Sequence, residues 1–178
     1  MNWNAAGAIG EILGALAVLV TLIAIYFQIR QSQVLERESA QRHLLEQSRS
    51  FMKSLSLDEQ LFNDVRACLH DYSSQPPFLQ QRFHGWGFDL LFIIEQAFYQ
   101  HREGLINQSS FDGFTNAILS IIKCPGGRQW WDTVARPLLG REAGDYLQDQ
   151  VDAGLDDIPM FYEIATFLSP NENAGNLD

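Results

Sequence analysis

The segment AAGAIGEILGALAVLVTLIAIYF, Ala5–Phe27, decides the architecture of this chain: twenty-three residues with one acid, Glu11, and no Lys or Arg. As a helix it spans roughly 34 Å, enough for a bilayer core of about 30 Å. Trp3 and Tyr26 stand at its two ends, where amphipathic rings favour the headgroup level. The next basic residues, Arg30, Arg37, Arg42, Arg49 and Lys53, all follow it. That asymmetry predicts a single-pass anchor with the N-terminus outside and the remainder cytoplasmic. A cleavable signal peptide is the rival reading, but Met1–Gly10 lacks the basic n-region such peptides carry.

Working outward from the span, the formal charge of -10 is unevenly distributed: -1 through residue 29, +2 over 30–53 and -11 from residue 54 onward. An acidic bulk offers no basic face for phosphates, so nucleic acid is not an expected partner. The length left after the span, about 125 to 150 residues, suits one domain with a core of its own. Cys68 and Cys124 fall within apolar helical patterns and read as reduced, buried thiols.

The pattern predicts an all-α chain: an anchor over 1–29, a juxtamembrane helix over 30–57, a helical domain over 58–168 and a polar tail over 169–178. Val34, Leu35, Leu44, Leu45, Phe51, Met52 and Leu55 recur at near-helical spacing, so the first helix is expected to continue beyond the span. A second helix is expected from the capping-type run Ser56-Leu57-Asp58-Glu59 to about Tyr72. Pro77 suits the first turn of a third, apolar around much of its circumference and ending at Gly104. Asp89 and Glu95 interrupt its apolar run, which argues against a second crossing.

A further helix is expected from about Ser110 to Pro125-Gly126-Gly127, then a short segment through Trp130 and Trp131 broken at Arg136-Pro137, then a helix over Arg141–Val151. Ile158, Met160, Phe161, Tyr162, Ile164, Phe167 and Leu168 crowd almost every side of a last helix. Such a segment needs cover, from its own domain, a neighbouring subunit or the bilayer.

With "GAIGEILGALAVLVTLIAIYFQIRQS" (Gly7–Ser32), "EQAFYQHREGLI" (Glu95–Ile106) and "CPGGRQWWD" (Cys124–Asp132), the chain resembles an uncharacterised family of bacterial single-span membrane proteins over Asn2 to roughly Tyr146. The resemblance implies an inner-membrane anchor and a cytoplasmic all-helical domain. It implies no activity for any residue.

Within the span, Ala6, Gly10, Gly14, Ala17, Thr21 and Ala24 form a stripe of small residues that begins with a GxxxG. Helix backbones approach closely along such a stripe, and a partner helix must come from another chain. The expected partners are therefore a second copy and the lipid bilayer; other protein partners are not legible. Glu11 is costly in hydrocarbon, about 2.5 to 3.5 kcal/mol near a helix centre, and calls for protonation, a hydrogen-bonding neighbour or water. Two roles follow for it, in helix packing at an interface or in a polar cavity.

In the third helix His84, Glu95, Tyr99 and Arg102 fall near one face and form a candidate buried polar cluster. A di-metal bundle requires repeated Glu-x-x-His elements, whereas Glu95 is followed at the third position by Phe98. Pro125-Gly126-Gly127-Arg128 lacks the spacing of a nucleotide loop. No nucleophile arrangement, metal set or cofactor motif emerges, so no enzyme activity, metal or cofactor is expected. The expected function is a membrane-anchored homo-oligomeric assembly or scaffold, with a pore whose Glu11 residues face water as the alternative.

Overall fold

The computed structural model describes residues 3–165, with side chains from 16 to 163 and at 11, 13 and 14. Every regular element among the described residues is helical. The chain divides into two compact units, Met1–Ser39 and Ala40–Asp178.

Helix α1 runs Trp3–Leu57. Among the described residues it is the one helix long and apolar enough to cross a membrane, near the N-terminus. In the first unit its described side chains are all exposed, and large ones such as Leu13, Val20 and Phe27 show 61%, 64% and 61% of their surface. No Pro interrupts this run, and Thr21 Oγ1 donates back to the Ala17 carbonyl at 2.8 Å, so its hydroxyl is satisfied within the helix.

The second unit takes in the last turns of α1, where Leu44, Phe51 and Leu55 are buried at spacings of seven and four. Helix α2, Glu59–His70, is capped by Asp58, whose carboxylate accepts from the Leu61 amide at 2.9 Å. It buries Val65, Cys68 and Leu69. A turn follows in which Asp71 accepts from Ser73 Oγ at 3.0 Å, and Pro77 then opens α3, Pro77–Arg102.

Helix α3 is the centre of this unit, with Phe83, Trp86, Leu90, Leu91, Ile93, Ile94 and Ala97 buried on a broad face. Each large apolar side chain so covered contributes about 1.5 to 3 kcal/mol. Trp86 stacks on Phe51 at 5.0 Å between ring centroids and meets Phe161 at 5.6 Å. Gly104 ends the helix with φ 72°, a left-handed conformation that favours glycine.

Helix α4, Gln108–Lys123, is capped by Asn107, which accepts from the Ser110 amide at 2.8 Å. Helix α5, Pro125–Trp130, then folds back with almost no clearance. A Cβ at Gly126 would stand 1.9 Å from the Cys68 carbonyl, and one at Gly127 would stand 1.8 Å from that of Ile121. Only glycine allows backbones this near, so the Gly126-Gly127 pair sets the corner.

The helix does not break at Arg136-Pro137. It widens into a π turn over Trp131–Ala135, with the Arg136 amide bonded to the Trp131 carbonyl, and closes with α6, Arg136–Leu138. A proline ring would collide with the carbonyl four residues back in an α-helix, and the wider turn relieves that clash. Helix α7, Arg141–Ala153, buries Ala143, Leu147 and Val151, and α8, Phe161–Ala165, sets Phe161 into the core.

Candidate functional site

The four polar residues of the α3 face separate into two places. Glu95 Oε1 accepts from the Gly140 amide at 2.9 Å, immediately before α7. A Cβ at Gly140 would lie 2.9 Å from Tyr99 Oη and 2.5 Å from Glu95 Oε1, so both side chains converge on that residue. Arg102 lies over the Tyr99 ring at 4.9 Å and pairs with Glu142 in the first turn of α7. Glu95 and Arg102 are thus engaged in joining α3 to α7. A carboxylate at a helix start also complements the positive end of the helix dipole.

His84 lies eleven residues earlier on α3, about 16 Å along the axis. Its Nε2 is 2.5 Å from Tyr72 Oη, and its ring stacks on Phe88 at 5.7 Å. Burial holds the imidazole below its ordinary range and pushes the Tyr72 phenol up. Both groups are therefore held neutral, and the imidazole tautomer sets which of them donates in this contact. Burial, with Asp64 adding to it, raises the nearby Cys68 thiol to about 11. Cys124 is likewise raised by burial, and its Sγ donates to the Ser120 carbonyl at 3.4 Å. Neither thiol has the depressed pKa that nucleophilic chemistry needs.

The Pro125-Gly126-Gly127-Arg128 corner is closed by backbone contact, and Arg128 pairs with Asp132 at 3.0 Å. Among the described residues no group of three or more His, Cys, Asp or Glu is arranged to hold a metal ion. Of the small-residue stripe, Ala6 and Gly10 lie outside the residues whose surroundings are described; Ala17, Thr21 and Ala24 are exposed, and nothing stands within 4 Å of where a Cβ on Gly14 would be. Glu11 is exposed too.

Concavity appears elsewhere. An open groove of about 390 Å³ runs between the last turns of α1 and the middle of α3, lined by Gln47, Ser50, Phe51 and Ser54 from one helix and Asp89, Phe92, Ile93 and Gln96 from the other. Gln47, Ser50 and Ser54 follow one another at three and four residues, as do Asp89, Phe92 and Gln96, so two helical ridges face each other. Periodicity within one helix marks each ridge as polar surface but does not reveal that the two meet. No family model, curated protein or solved structure matches this chain.

Proposed function

We propose that the chain is a membrane-anchored helical assembly or scaffold protein, a homo-oligomer held through α1 in a bacterial inner membrane, with the N-terminus outside and the helical domain cytoplasmic. The observation that carries this reading is the exposure of α1: its described large apolar side chains from Leu13 to Ile29 all lie open. So wide an apolar surface requires lipid or another helix as cover. The basic residues that follow the span support the orientation, the family resemblance supports the bacterial setting, and the Gly10–Gly14 spacing supports pairing between copies. The reading is non-enzymatic.

Mass measurement of the purified chain in lipid nanodiscs tests it. The parent is expected as a defined oligomer and Gly10→Leu/Gly14→Leu as a smaller species; a monomeric parent overturns the assembly. A second reading, a pore, is favoured by the Glu11 carboxylate on an exposed face of an apolar helix. Conductance in planar bilayers that changes with Glu11→Gln supports it, and no current from intact oligomers removes it.

A further inference from the structure

The groove between α1 and α3 has a consistent chemistry. Asp89 enters no ion pair among the described residues and no Lys or Arg lines the groove, so its carboxylate meets the groove without a cation beside it. Gln47 turns its amide nitrogen to His43, Nε2 to Nε2 at 3.1 Å, and its Oε1 is buried beneath the groove surface. Ser54 spends its proton on the Phe51 carbonyl at 2.6 Å and is left with lone pairs. Phe92 shows 64% of its surface at the same groove. An open aromatic face attracts cations.

We infer that this groove binds a small organic cation, a guanidinium or alkylammonium compound, with Asp89 and the Ser54 hydroxyl oxygen accepting its N–H groups and Phe92 covering its charge. Carboxylates and phosphates are excluded, because no cationic side chain lines the groove and the chain carries -11 from residue 54 onward. The volume falls within the range of small-molecule sites, about 300 to 1,000 Å³.

Calorimetric titration of the full chain in nanodiscs with agmatine, which carries both head groups, tests the assignment at 0.15 M salt. Saturable binding of one agmatine per chain is expected, weakened at least tenfold by Asp89→Asn and severalfold by Phe92→Ala. Asp149→Asn, an acidic position on α7 away from the groove lining, is expected to bind like the parent. The inference is overturned by the absence of saturable binding, by Asp89→Asn behaving as the parent does, or by equal weakening in Asp149→Asn, which would mark diffuse attraction to an acidic surface. Asp89 and Phe92 are exposed, so both variants keep the core intact.

Discussion

Glu95 reaches across to the backbone of Gly140, accepting its N–H at 2.9 Å, and so fastens the start of α7 to the centre of α3. If this contact is the residue's role, Glu95→Gln keeps an acceptor and costs little. Glu95→Ala removes it and should cost about 0.5 to 2 kcal/mol, the range of a lost helix cap. Hydrogen exchange checks it: faster exchange at the first turn of α7 in Glu95→Ala, with α2 and α4 unchanged, is the expected outcome.

Four glycines give opposite outcomes on replacement by alanine. A methyl at Gly126 or Gly127 would stand 1.9 or 1.8 Å from a carbonyl oxygen, and backbone cannot yield that far. Either change is expected to cost about 3 kcal/mol or more, as overpacking does at its severe end. Gly85 and Gly113, inside α3 and α4, have nothing within 4 Å, so alanine there should stabilise by about 0.5 to 1 kcal/mol. Thermal melts of the four variants should therefore fall on both sides of the parent.

The Tyr72–His84 contact makes a pH prediction. Burial lowers the folded imidazole's pKa below its ordinary value of 6.5, so the unfolded chain binds the proton more readily. Stability from this residue is complete above about pH 6.5 and is lost as pH falls from there toward the folded pKa. His84→Gln should flatten the dependence of melting temperature over that interval. In the parent, the His84 ring resonances should titrate below the ordinary imidazole value of 6.5.

How far the sequence discloses all this depends on the range of each interaction. Asp58, Pro77, Gly104 and Asn107 act within a few residues of themselves, so their helix ends are readable from local chemistry. The apolar run of α1 is equally plain. Arg102 choosing Glu142, forty residues on, depends on which faces of α3 and α7 meet, and periodicity does not encode that. The α1–α3 groove has the same origin: Gln47 and Phe92 are each unremarkable surface positions until the helices are set side by side. Pro137 misleads for another reason, since a register shift at Trp131–Ala135 satisfies the backbone without ending the helix.

Cys68 and Cys124 bear on whether any covalent chemistry belongs to this chain. Both side chains are fully buried, and Cys68 is raised to about 11, so at pH 8 only about 0.1% of it is thiolate. Alkylating reagents attack the thiolate and must also reach it. Cys68 should therefore remain unmodified by iodoacetamide in the folded protein and be labelled at the rate of unfolding, with labelling accelerated in denaturant. Cys124 is likewise raised, by burial, and should follow the same course. Fast labelling of either in native conditions, read by intact mass, would mean that its pocket opens and that a nucleophilic role deserves a direct search. Slow labelling of both leaves the thiols as packing volume.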